Sequence, residues 1–168
     1  MTDMARPADW DGPVEIPEVD TSLERIVVPF DGSKAAERAL GYAAAFARYS
    51  GGEIIVVVAY DPPITVRRRG GITLEGLRSE MEKEAHDLAE ESASLLVDKG
   101  LRARAIVVRG DVADAILDTI DEEAADIAIL GRSGLTSEVR GGERREWGTG
   151  SVTDKIVRNA TIPVMVVG

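Results

Sequence analysis

The chain has 168 residues, 44% hydrophobic and 30% charged, which suits a single soluble domain built around one core. Its formal net charge of -10 excludes a general nucleic-acid binder, because attraction to phosphate backbones needs a basic footprint. With no cysteine and one histidine, His86, disulfides, thiolate nucleophiles and multi-histidine metal centres are excluded as well. No apolar run is long enough to span a bilayer, and the first residues lack the apolar stretch of a secretory signal, so the expected location is cytoplasmic with no membrane partner. Aromatic residues make up only 4%, so the core must be aliphatic.

Residues 1–24 read as a flexible acidic N-terminal tail, broken by Pro7, Gly12, Pro13 and Pro17, with Trp10 as its one candidate anchor. The folded domain is expected over 25–168. Arg25–Phe30 is apolar throughout, as a strand buried on both faces should be. Asp31-Gly-Ser33 turns the chain into an Ala-rich helix, Lys34–Ser50, stopped at Gly51-Gly52. Glu53–Tyr60 is a second buried strand, ended by Asp61-Pro-Pro63, and a loop with Arg67, Arg68 and Arg69 follows. The long helix from Leu74 to Lys99 places Leu74, Leu77, Met81, Ala85, Leu88 and Leu95 on one face. His86 beside it reads as a surface residue. Arg102–Val108 is the third strand. Asp111 caps a helix running to about Ala125, and Asp126–Leu130 is the fourth strand. Gly131–Gly150 is long, polar and glycine-rich. Ser151–Asn159 is the last helix and Pro163–Val167 the last strand.

Strands that alternate with helices five times over must run parallel, since parallel neighbours need crossover helices. The fold class is therefore α/β: a doubly wound five-stranded parallel sheet with helices on both faces. Such sheets bind ligands beyond the carboxyl ends of their strands, where the strand order switches. Two strand ends carry suitable chemistry. Asp31, between an apolar strand and a helix, either accepts hydrogen bonds from a ligand or, with Ser33, caps the helix. Gly131-Arg-Ser-Gly134 and Gly150-Ser-Val152 let backbone N–H groups approach an anion at a helix start. The same segment also reads as a ligand-free capping box, Ser151-Val-Thr-Asp154.

Val28-Pro-Phe-Asp-Gly-Ser33, Ile129-Leu-Gly-Arg-Ser-Gly-Leu135, Gly150-Ser-Val-Thr-Asp-Lys-Ile-Val157 and Pro163-Val-Met-Val-Val167 together resemble the universal stress protein family. The likeness covers about residues 24–168 in the right order. It implies an adenine-nucleotide α-hydrolase-like fold, a homodimer paired through the C-terminal strand, and, in ATP-binding members, the pattern GxxG, nine residues, Gly-Ser. By that resemblance Asp31 and Ala59 flank the adenosine, and Pro29 is a further cofactor-binding residue. Leu130, Gly131, Gly134, Gly150, Ser151 and Val152 hold ribose and phosphates, and the cofactor is ATP with Mg²⁺. Here fifteen residues, Leu135–Thr149, separate the two glycine clusters, an insertion that carries Arg140, Arg144, Arg145 and Trp147. A longer surface loop costs little extra closure entropy.

The function expected is an ATP-binding regulatory or stress-response protein without strong catalysis, since no nucleophile–base pair or protein metal site accompanies the glycines. A nucleotide-free dimeric scaffold of the same fold is the alternative. An adenylating or ATP-hydrolysing enzyme ranks third, because Asp31-Gly-Ser33 is not the SGGxDS loop of such enzymes.

Overall fold

Continuous Val and Ile runs are stable only where both strand faces are covered, and the computed structural model covers them with two layers of helix. It describes residues 18, 22–64, 73–134 and 150–168. In chain order the elements are β1 (Arg25–Pro29), α1 (Lys34–Ser50), β2 (Glu53–Tyr60), α2 (Leu74–Asp98) and β3 (Arg102–Arg109). Then come α3 (Val112–Glu122), β4 (Ile127–Gly131), α4 (Ser151–Asn159) and β5 (Val164–Val167). The strands form one sheet in the order β3-β2-β1-β4-β5, and every pairing is parallel. The order reverses between β1 and β4, which opens a crevice at their carboxyl ends.

Strand alternation divides the core in two. Ile26, Val28, Ile54, Val56 and Ile129 face α1 and α2, packing on Ala39, Ala43, Ala47 and Leu96. Val27, Ile55, Val57, Ala128 and Leu130 face α3 and α4, packing on Ile116, Ile120 and Ile156. Each fully buried Val or Ile contributes about 1.5–3 kcal/mol. The alanines of α1 matter as much by being small, since they let the helix lie close to the sheet.

Several boundaries differ from expectation, each for a local reason. β1 ends at Pro29, although Phe30 still donates its N–H to Val57 at 2.8 Å. β4 starts at Ile127, and Asp126 before it ties to the start of β1 instead, its carboxylate accepting from the N–H groups of Glu24 and Arg25 at 2.8 and 2.7 Å. α3 stops at Glu122, two residues before Ala124 turns the chain at φ 46°. β5 begins at Val164, one residue past Pro163. On α2 the buried positions are Ala85, Ala89, Ser92 and Leu96, while Leu95 is exposed. The expected stripe drifts by one residue at its end because 3.6 residues per turn favours 96 over 95 after 85, 89 and 92.

The folded unit reaches back to Leu23, whose carbonyl accepts from Ser50 Oγ at 2.9 Å. Residues 1–17, which hold Trp10, the Arg67–Arg69 loop and the 135–149 insertion with its arginines and Trp147 lie outside the described residues. Among the described residues no helix is long and apolar enough to cross a membrane.

Candidate functional site

The chain leaves β1 through a turn built on its own side chains. The Asp31 carboxylate accepts from Ser33 N–H at 3.0 Å, and Gly32 takes φ 77°, which favours glycine. Ser33 is the N-cap of α1: its hydroxyl accepts from Ala36 N–H at 3.1 Å. Capping thus falls to Ser33, and Asp31 stands exposed at the strand end. The same Ser33 hydroxyl donates to the Ser133 carbonyl at 3.4 Å, joining this turn to the glycine loop after β4.

That loop is placed by contacts only glycine permits. A Cβ on Gly131 would lie 2.8 Å from the backbone of Ala35 and Ala36, and one on Gly134 would lie 2.6 Å from Asp31 Oδ2. The loop therefore passes directly against the start of α1 and against the Asp31 carboxylate. Arg132 N–H donates to Val167 at 2.7 Å, which ties the loop to β5.

The far side of the insertion returns to the same place. Gly150 N–H donates to the Arg132 carbonyl at 2.8 Å, so the two glycine clusters touch despite the fifteen residues between them. The capping-box expectation at Ser151 is corrected here. The N-cap of α4 is Gly150, with no side-chain cap, and Ser151 is the first helical residue. Thr153 Oγ1 instead donates to the Gly131 carbonyl at 2.9 Å, anchoring the helix start to the end of β4. A helix N-terminus without a side-chain acceptor keeps its positive end for another partner.

These segments enclose one cleft of about 630 Å³ at the carboxyl edge of the sheet, within the usual size range of small-molecule sites. Pro29, Asp31 and Ala59 line it from β1 and β2. Leu130, Gly131 and Gly134 line it from β4 and its loop, and Gly150, Ser151 and Val152 from α4. All nine positions singled out in the sequence therefore share one cavity. Val112 and Ile116 of α3 form a further wall. Sequence reasoning missed those two, along with the joining roles of Ser33, Ser133 and Thr153. Only Ser33 carried a readable signal, its place before a helix.

A model of the universal stress protein family matches residues 22–168. The chain belongs to the universal stress protein family. A universal stress protein of Thermus aquaticus is 32% identical over 145 residues, covering 86% of this chain and 98% of the relative. Universal stress protein MJ0577 of Methanocaldococcus jannaschii is similar in sequence and in structure: its solved structure is 26% identical, with a TM-score of 0.71 over 87% of this chain and 96% of that one. A universal stress protein of Archaeoglobus fulgidus solved in complex with dAMP is 25% identical, with a TM-score of 0.60 over 88% of this chain and 99% of that one. The doubly wound sheet of the present chain is thus the fold of this family.

Whether the site suits a nucleotide is a matter of its own donors. Gly131, Ser133 and Gly134 line the cleft, and α4 offers a start without a side-chain cap. Both features fit a phosphate-bearing ligand. Among the described residues no group of three or more His, Asp or Glu could hold a metal ion.

Proposed function

We propose that this universal stress protein is a regulatory adenine-nucleotide binder without strong catalytic activity, and that its ligand is ATP with Mg²⁺. The observation that carries this reading is the junction of Asp31, Gly131–Gly134 and the α4 start in one cleft, closed by the Gly150–Arg132 hydrogen bond. The dAMP complex of the Archaeoglobus fulgidus relative supports an adenine nucleotide as the class. Asp31, Pro29 and Ala59 would face the nucleoside. Backbone N–H groups of the glycine loop and of Ser151 and Val152 would take the phosphates. The chain's part is to bind and orient; bound Mg²⁺ would neutralise phosphate charge. We further propose a homodimer paired through β5, which lies at the sheet edge with Val166 exposed.

Calorimetric titration with ATP and Mg²⁺ tests the central point. Saturable heat and a raised melting temperature are expected. No heat and no stabilisation at millimolar ATP would replace this reading with a nucleotide-free scaffold.

A further inference from the structure

We infer that the half of the cleft facing α2 is a second binding site, for a small organic cation with an apolar body. The cleft straddles the carboxyl edge of the sheet, and strand alternation gives its two halves different walls. Ala59 packs with the α3 and α4 core, as does Val152. The next residue, Tyr60, packs on the opposite face with Phe30, Ala85 and Leu88. Met81, Ala85 and Leu88 follow one another at helical spacing along α2 and line this half. None of the positions assigned to the nucleotide belongs to this wall.

Three features define what it would take. Phe30, Tyr60, Met81 and Leu88 are only half-buried, so large apolar side chains face water inside a concave surface. Two of them, Phe30 and Tyr60, are aromatic in a chain with only 4% aromatic residues, and both line the cleft. Two exposed carboxylates, Asp61 and Glu84, stand among them. Ring faces and carboxylates both attract positive charge, and both repel a phosphate or carboxylate ligand. A bare metal ion is a poor match, because the wall between the carboxylates is apolar. An ammonium group on an aromatic or short aliphatic body satisfies every element.

The test is an NMR titration of the full ¹⁵N-labelled chain with three probes sharing one ring: phenethylamine, 2-phenylethanol and 3-phenylpropionate. Phenethylamine should shift the amides of Tyr60, Asp61 and residues 81–88 and saturate. The alcohol should bind more weakly, the acid not at all, and added salt should weaken the amine alone. Glu84→Gln should weaken the amine about two- to fivefold, as loss of an exposed charge pair does. Met81→Trp should fill the half-cleft and abolish binding. Absence of saturable shifts, or equal binding of acid and amine, overturns the inference. The inference does not rest on the nucleotide reading. Titrating ATP and Mg²⁺ into the same samples keeps them apart: amine failure with ATP bound sinks only this site, and ATP failure with amine bound sinks only the other.

Discussion

A methyl group added at Gly131 would sit 2.8 Å from the backbone of Ala35 and Ala36, where neither side can yield cheaply. Gly131→Ala is therefore expected to destabilise the fold by about 1–3 kcal/mol, as overpacking does, measured by chemical denaturation. At Gly134 the nearest atom is the Asp31 carboxylate, the end of a side chain that can turn away. Gly134→Ala should leave the melting temperature nearly unchanged while weakening nucleotide binding, because it displaces Asp31. Gly150 has ordinary extended backbone, φ -63° and ψ 157°, and an added Cβ meets nothing closer than 3.6 Å. Gly150→Val should fold normally and abolish ATP binding in calorimetry by placing a branched side chain in the phosphate path. A variant that binds ATP like the wild type would remove Gly150 from the site. Ser151→Ala should cost almost no stability, since Ser151 does not cap α4.

The two helices on the α3 side are tied by charge. Lys155 of α4 lies 3.1 Å from Asp111 and 2.7 Å from Asp114, at the start of α3. Asp111 is the N-cap of α3, accepting from Asp114 N–H at 3.1 Å. That backbone hydrogen bond, then Lys155, holds the Asp111 carboxyl below its ordinary value. A lowered folded-state pKa contributes stability that is present above the unfolded value and lost as pH falls through the folded one. Asp111→Ala should therefore lower the melting temperature at neutral pH, with the gap to wild type closing in acid below about pH 4. A gap that persists at pH 2 would show that the carboxylate charge is not what matters. Elements of this kind were readable where pattern and packing agree: α1 has the bounds that Ser33 and Gly51 announce. Reading failed where one residue's neighbour in space decides. Leu95 and Leu96 look alike in the chain, and only the pitch of α2 on the sheet selects Leu96. The serine at 151 resembles a cap, but Gly150 occupies that place, its N–H donated to the Arg132 carbonyl.

At the scale of the whole molecule, β3 and β5 are the two sheet edges. β3 is defended by charge: Arg104 bonds Glu53 on the neighbouring strand at 3.2 Å and also Glu123, and the two carboxylates raise its pKa above the ordinary value. β5 is short and apolar, with Val166 exposed, and is the edge that fits self-pairing. Val166→Lys is expected to give a monomer in sedimentation at micromolar concentration, where the wild type sediments as a dimer; a monomeric wild type removes the proposal. The parallel sheet was legible in the sequence, because five apolar runs separated by helical patterns leave few alternatives. Pro29, Ala59 and Leu130 came only from the family resemblance, whereas Asp31, the glycines at 131, 134 and 150, and Ser151-Val152 at a helix start could be singled out by local signatures. Phe30, Tyr60, Met81 and Leu88 could not, since nothing in sequence separates a half-buried apolar residue from a core one.

Ala59 and Tyr60 are consecutive in the chain, yet the pleat of β2 sends them to opposite halves of the cleft. Two adjacent codons thereby address two chambers. Variation at one leaves the other's surroundings intact, so the two preferences are free to drift apart among descendants of this gene. A library randomised at those two codons alone would sample both chambers at once, and selecting it separately on each ligand would reveal whether they evolve as independent traits.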